Sequence, residues 1–273
     1  NVCKKSEDIL SNSKKVVVRL GQRKRNFMSI LFSLEGRTAF ITGGSTGIGA
    51  MIARGFLEHG ATVIINARNA ERCAQTVTEL SEFGEISACP GDISTLAGIE
   101  AVAADLPDTV DILVNNAGTS WGAPVGEFPE NGWDKVMDLN LKSAFFMTQQ
   151  LLPRLVANGS PERPAKVINI SSVDGIWNSR SDTPSYIASK AGFIQLTKHQ
   201  SLKLVSKNVL VSGIAPGAFA SNLNRAARDT PEKLINGIPI KRIGTWEDMA
   251  GAAVFLASRA GDYAVGETVI VDG

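Results

Sequence analysis

From residue 38 to residue 271 one pattern recurs, and it limits this chain to a single class of architecture. Seven short apolar runs, at 38–42, 62–66, 85–88, 111–115, 166–170, 209–214 and 268–271, alternate with stretches long enough for helices, such as 47–59 and 133–155. Several runs are rich in Val and Ile and lack the polar alternation of a strand with one wet face. That is the pattern of strands covered on both sides in a parallel sheet. Strand–helix alternation over this length predicts an α/β fold in one domain, a doubly wound sheet of about seven parallel strands with helices on both faces. Right-handed crossovers then bring the carboxyl ends of the strands to one edge, where such sheets bind ligands.

The first 27 residues follow a different rule. They hold eight basic and two acidic side chains, a net of +6, while the remainder has 20 basic against 25 acidic, a net of −5. The whole-chain charge of +1 therefore averages two unlike pieces and gives no reason to expect nucleic-acid binding. The expected division is a basic extension over residues 1–33 and an ordered domain over 34–273. The extension reads as an appended remnant or translated upstream sequence, with Met28 as the start, or else as an organelle-targeting arm. Glu7 and Asp8 fit the second reading poorly, because transit peptides are poor in acids. No stretch approaches the ~18 apolar residues of a membrane span. Cys3, Cys73 and Cys89 are far apart and lack metal-ligand spacing, and the chain has only two His. Neither a metal site nor a disulfide framework is expected, and a reducing compartment, the cytoplasm, suits them.

The first run ends in Thr42-Gly43-Gly44-Ser45-Thr46-Gly47-Ile48-Gly49 and leads straight into a helix-length segment. Gly43, Gly47 and Gly49 let the backbone turn tightly and approach a pyrophosphate, which the free N–H groups of a helix N-terminus favour. A merely structural glycine turn is the alternative. The position after the first strand and before a helix supports the dinucleotide reading and a Rossmann-type sheet, with Ser45, Thr46 and Ile48 also at the cofactor. No Gly-Lys-Ser/Thr follows, which disfavours a mononucleotide loop. The second run ends Asn66-Ala67-Arg68-Asn69, without the acid that bonds an NAD ribose. Arg68 can instead pair with a 2′-phosphate, with Asn66 or Asn69 adding hydrogen bonds, so NADP(H) is the expected cofactor.

Tyr186 and Lys190 stand four residues apart in a segment expected to be helical from Tyr186 to about Val205, so they share one helix face. A free phenol, with a pKa near ~10, is a poor proton donor or acceptor at neutral pH. A neighbouring cation lowers that value, which suits proton transfer to a substrate oxygen. A surface Tyr and Lys one turn apart would look the same in isolation. Together, however, the glycine turn at 42–49, Asp92-Ile93, Asn115-Asn116-Ala117-Gly118, Asn140, Ser171-Ser172, Tyr186-xxx-Lys190 and Pro216-Gly217 appear in order after successive runs. In this the chain resembles the short-chain dehydrogenase/reductase family, from about Leu34 to Gly273. Within it, NNAGTSWGA at 115–123, QQLLP at 149–153 and IAPGAFASNL at 214–223 are similar to NADPH-dependent 3-oxoacyl-[acyl-carrier-protein] reductases of the rhamnolipid type.

The resemblance implies roles residue by residue and makes 34–273 a dinucleotide-binding reductase domain. Tyr186 would be the proton donor in reduction. Lys190 would lower its pKa and bind the nicotinamide ribose, and Ser172 would hold the substrate carbonyl. The interval from Ser172 to Tyr186 is one residue longer than usual for the family, which places an insertion within 173–185; Ser171 fits less well. Asn140, a weak helix former in mid-helix, would bend the helix and join a water-mediated relay through Lys190. Asp92 would bond the adenine amino group and Ile93 flank the ring; otherwise Asp92 is a plain helix cap. Asn116, Ala117 and Gly118 would let backbone approach the adenosine ribose. Pro216 and Gly217 would line the nicotinamide with Ile214 nearby, and Ser221 stands where the family often has Thr.

The expected activity is NADPH-dependent reduction of a ketone to a secondary alcohol, on a 3-oxoacyl thioester. Another alcohol or ketone, such as a polyol or steroid, is the enzyme alternative, and a noncatalytic dinucleotide sensor is the alternative of another class. Trp121, Phe128 and Trp177 are candidates for an apolar substrate pocket, or equally for core, and 218–240 for a substrate lid. The family's usual assembly is a homotetramer or dimer pairing the helices after Asn140 and Tyr186.

Overall fold

The computed structural model describes residues 30–177, 179 and 181–273. Met28 and the basic segment before it therefore lie outside the described residues, as does Cys3. Phe32 and Leu34 already pack into the core, Leu34 being 1% exposed.

Seven strands form one sheet in the order β3-β2-β1-β4-β5-β6-β7, every pairing parallel. They are β1 (Thr38–Thr42), β2 (Thr62–Asn66), β3 (Ile86–Ala88), β4 (Ile112–Asn115), β5 (Ala165–Ile170), β6 (Val209–Pro216) and β7 (Thr268–Val271). The doubly wound, Rossmann-type domain expected from the alternation is thus the observed fold. Between them run α1 (Gly47–Glu58), α2 (Ala70–Leu80), α3 (Leu96–Ala104), α4 (Glu130–Met137), α5 (Ser143–Asn158) and α6 (Pro184–Leu204). After β6 come α7 (Arg225–Asp229), α8 (Glu232–Ile235) and α9 (Trp246–Ala257).

Side-chain alternation along each strand supplies two separate cores, one per sheet face. On β1, Ala39 and Ile41 join Ile52, Phe56, Met249 and Val254 beneath α1 and α9. Phe40 between them points the other way, to Met147, Leu151 and Leu155 of α5. That division explains why the strands read as continuous apolar runs: both faces are dry.

Two boundaries differ from expectation in ways that matter for the site. β6 extends to Pro216, because it keeps pairing with β7 to the register Pro216↔Val271, so the chain leaves the sheet later. The segment 133–155 is not one regular helix. Between α4 and α5 the residues Asp138–Lys142 form a π-helical turn.

At the amino edge of the sheet, away from the glycine turn, buried charges pin the strands. Lys166 of β5 donates to Asp262 Oδ1 at 2.5 Å and to the Ser258 carbonyl at 3.3 Å. Asp111 accepts from the Thr38 N–H at 2.8 Å, with Arg37 3.9 Å away. Among the described residues no helix is long and apolar enough to cross a membrane.

Candidate active site

The strand order reverses between β1 and β4, and the cleft opens at that point. Thr42, the last residue of β1, organises it. Its hydroxyl donates to the Val114 carbonyl at 3.2 Å and accepts from the N–H groups of Asn116 and Ala117 at 3.0 and 3.1 Å. The Asn116 amide in turn donates to the Thr42 and Gly43 carbonyls at 2.9 and 3.0 Å. The exits of β1 and β4 are thereby clasped together. Gly43 at φ +64° and Gly47 at φ +54° occupy the left-handed region; a Cβ on Gly43 would stand 2.9 Å from Ala117 Cα. Gly49 plays a different part from the one expected. It does not line the cleft, and a Cβ there would collide with the Gly43 carbonyl, so it seats α1 against the turn.

The result is a cleft of about 780 Å³ whose floor is the N-terminus of α1. No acidic side chain stands in the first turn of α1, and Thr46 makes no side-chain cap. The orphan N–H groups and the positive end of the helix dipole therefore face the cleft, an arrangement suited to a pyrophosphate. Gly43, Ser45, Thr46, Gly47 and Ile48 line this part. Asp92, Ile93, Asn116, Ala117 and Gly118 form the walls on either side. Asp92 is not a helix cap: Thr95 caps α3, while Asp92 accepts from the Ser94 N–H at 3.0 Å. That hydrogen bond, with help from the Arg68 charge, holds its carboxyl below its ordinary pKa.

Arg68 is exposed at the end of the cleft beyond β2 and makes no hydrogen bond or ion pair with any described residue. Its expected helpers are already engaged. The Asn66 amide donates to the Cys89 and Gly91 carbonyls at 2.9 and 3.2 Å, and Asn69 caps α2 through the Arg72 N–H at 2.8 Å. Sequence reasoning missed the brace behind Ser45, whose carbonyl accepts from Thr76 Oγ1 at 2.9 Å and Arg72 Nε at 3.3 Å. Their spacing of four on one helix face was legible, but their target was not.

At the other end stand Tyr186 and Lys190, one turn apart on α6 and both facing the cleft. Lys190 is buried, donates to the Ile170 carbonyl at 2.8 Å and has its Nζ 5.7 Å from the Tyr186 ring centre. Ser171 spends its hydroxyl on the Lys190 carbonyl at 2.8 Å. Ser172, which accepts from the Asp174 N–H at 3.1 Å, is the hydroxyl beside the phenol. Asn140 sits in the π turn, fully buried. It accepts from the Thr119 N–H at 2.8 Å and donates to the Thr119 carbonyl at 2.9 Å and Ser189 Oγ at 3.1 Å. The helix is irregular at this Asn, a π turn, and the amide bonds the loop after β4.

Electrostatics correct one expectation. Burial pushes the Tyr186 phenol up to about 12, opposed by Ser172 and reinforced by the charge of Asp174. Burial likewise pushes Lys190 down to about 8. Burial outweighs the neighbouring charge in both groups, because desolvation penalises either charged form, and the Lys190 Nζ is turned onto the Ile170 carbonyl.

Two further expectations are corrected. Pro216 and Gly217 do not line the cleft: Gly217 donates to the Val271 carbonyl at 2.9 Å, and a Cβ on it would meet Asp272. Ser221, Asn222 and Leu223 line the cleft instead, Ser221 close to Gly47 of the glycine turn, and Ile214 is buried in the core. None of the three aromatic candidates lines the cleft. Trp121 packs on Gly132 and Lys135, Phe128 stands edge-on to Trp133 with centres 6.4 Å apart, and Trp177 is exposed.

Residues 37–232 match the family of the short chain dehydrogenases. The chain belongs to that family. It is 47% identical over 248 residues to the rhamnolipids biosynthesis 3-oxoacyl-[acyl-carrier-protein] reductase of Pseudomonas aeruginosa, covering 89% of this chain and 97% of that one. It is 37% identical over 247 residues to the 2-dehydro-3-deoxy-D-gluconate 5-dehydrogenase of Dickeya dadantii, covering 89% and 96%. Among solved structures, the Pseudomonas aeruginosa RhlG/NADP active-site complex superimposes with a TM-score of 0.86 at 47% identity, covering 89% and 98%. A 7α-hydroxysteroid dehydrogenase complexed with NADH and 7-oxo glycochenodeoxycholic acid superimposes with a TM-score of 0.83 at 32% identity, covering 90% and 96%.

In this short-chain dehydrogenase the phenol of Tyr186 can be followed directly, since Tyr263 is the only other tyrosine and is fully exposed. In Tyr263→Phe without added ligand, near-ultraviolet titration is expected to show phenolate appearing well above the pH of free tyrosine. A titration at or below that of free tyrosine would contradict the burial argument.

Proposed function

We propose that this chain is an NADPH-dependent reductase that converts a ketone, above all a 3-oxoacyl thioester, into a secondary alcohol. The observation that carries the reading is the meeting of two sites in one cleft. Tyr186 and Lys190 line one end, with Ser172 beside the phenol and the buried Asn140 behind on Thr119, and Arg68, without a partner among the described residues, lines the other. Residues 34–273 are read as the reductase domain and 1–33 as an extension.

NADPH along the cleft would supply the hydride. The chain's own residues do the rest. The N-terminus of α1 would hold the pyrophosphate and Arg68 the 2′-phosphate, since β2 ends without the acid that would bond an NAD ribose. Ser172 donates to the substrate carbonyl and fixes it against Tyr186, whose phenol passes its proton to the oxygen as the alkoxide forms. A phenol kept protonated by burial is suited to the role of acid. Lys190, with Asn140 behind it, replaces the lost proton through solvent, and its cation stabilises the transient phenolate. A noncatalytic sensor has no need of this complete set.

The second reading is a dehydrogenase or reductase of a hydroxylated ketone. It is supported by the gluconate and steroid enzymes among the relatives and by the polar segment that precedes α6, where Ser181 bonds both Ser179 and Thr183 at 2.8 and 2.7 Å. Two buried free thiols, Cys73 and Cys89, suit a reducing compartment such as the cytoplasm.

We also read the protein as a homo-oligomer. Met137, Leu141, Phe145, Phe146 and Leu196 line an open apolar groove of about 660 Å³ on the outer face of α5 and α6. A second copy placed symmetrically would cover it.

Three outcomes test these readings. With an acetoacetyl thioester, NADPH oxidation is expected to exceed NADH oxidation, and Arg68→Ala to raise the KM for NADPH on the order of tenfold or more while leaving NADH little changed; equal rates in the wild type would overturn the Arg68 argument. Tyr186→Phe is expected to lower kcat by about a hundredfold or more while NADPH still binds, and retained turnover would remove the tyrosine mechanism. Light scattering is expected to show a dimer or tetramer that Phe145→Glu reduces in size; a monomeric wild type would refute the assembly.

A further inference from the structure

The turn that leaves β5 carries a carboxylate that the reaction does not require. Asp174 lies in Val173–Gly175, one short helical turn held at both ends. On one side its N–H donates to Ser172 Oγ at 3.1 Å. On the other, Gly175 lies so close to α6 that a Cβ would stand 2.6 Å from the Lys190 carbonyl carbon and 2.8 Å from Ala191 N. Asp174 is thus clamped between the hydroxyl that receives the substrate carbonyl and the helix that presents Tyr186 and Lys190. It is half-buried, and its charge is felt at the phenol, which it pushes upward.

The only cation facing the turn from α6 among the described residues is Lys190, which is buried and turned onto the Ile170 carbonyl. Across the mouth, the loop after β4 is tied to the segment before α6 by the Ala123 N–H and the Asp182 carbonyl at 2.9 Å. Asp182 is the exposed acid of that segment.

We propose that Asp174 is a specificity-determining residue that makes the site select ketones without a negative charge near the reacting carbonyl, preferring 3-oxo thioesters and esters to keto-carboxylates. The inference rests on the reading above that Ser172 and Tyr186 receive a ketone. A substrate carbonyl that reaches Ser172 Oγ meets the very atom that accepts the Asp174 N–H at 3.1 Å. A carboxylate on that substrate meets like charge in a partly desolvated site, whereas a thioester does not.

Ethyl acetoacetate and acetoacetate, the same ketone without and with a charge, provide the test. The wild type is expected to favour the ester in kcat/KM, with a preference that shrinks as salt is added. Asp174→Asn is expected to lower the ester-to-acid ratio roughly tenfold, chiefly through the KM for acetoacetate, and Asp174→Glu to keep it. A structural role would not predict the companion change: in Asp174→Asn the rise of alcohol oxidation with pH shifts to lower pH, because the phenolate loses a repelling neighbour. An unchanged ratio in a folded Asp174→Asn, or a wild-type ratio indifferent to salt, would overturn the proposal. If the wild type reduces neither compound, the reductase reading fails by itself. Calorimetric binding of both compounds to the NADP-loaded protein then decides the charge preference, and equal discrimination by wild type and Asp174→Asn would overturn it.

Discussion

Everything at the site hangs on the clasp between the ends of β1 and β4. One threonine hydroxyl, on Thr42, both donates across the strands and accepts two backbone N–H groups, while the Asn116 amide closes the ring from the other side. Where the strand order of a parallel sheet reverses, neighbouring connections diverge to opposite faces and leave their backbone groups unpaired. The clasp satisfies those groups without filling the gap. The glycine turn can then point its N–H groups into the cleft, and the loop carrying Ala117 and Gly118 becomes its wall.

The same economy of partners appears at the catalytic end. Lys190 is bound to the Ile170 carbonyl, Ser171 to the Lys190 carbonyl and Asn140 to both backbone groups of Thr119. Each bond uses a group that burial would otherwise leave orphaned, and together they lock the site to β5, α6 and the loop after β4. What stays unengaged is therefore informative. Arg68 at one end, and the phenol of Tyr186 beside Ser172 at the other, are the groups left to meet ligands. The cost of this dry arrangement is visible in the opposed displacements of the Tyr186 and Lys190 pKa values, each moved toward its neutral form by burial.

Much of this was legible in the amino-acid order. The seven runs became seven strands because parallel strands with two dry faces must be apolar throughout, and Gly43 and Gly47 marked the turn because a side chain is strained at a positive φ and would crowd its neighbours there. Asn140 announced an irregular helix by its poor propensity, and a π turn stands there. Other readings failed for reasons that are not local. Asn66 and Asn69 do line the cleft beside Arg68, but the fold commits the Asn66 Nδ2 and the Asn69 Oδ1 to backbone partners. Pro216 and Gly217 looked like cleft wall, but the register of β6 on β7 carried the sheet past them. The large aromatics looked like a pocket, yet each found a neighbour elsewhere or stayed in water.

By itself, then, the order of residues determined the strand and helix periods, the turn after β1 and the family to which the chain belongs, because these depend on interactions within a few residues of one another. Only the tertiary structure decided which polar groups remain available, how far β6 runs, and that Asp174 is clamped between Ser172 and the helix bearing Tyr186. Those outcomes depend on hydrogen-bond partners and close packing between residues far apart in the chain, and on burial, which moves a phenol and an ammonium in opposite directions wherever water is excluded from both.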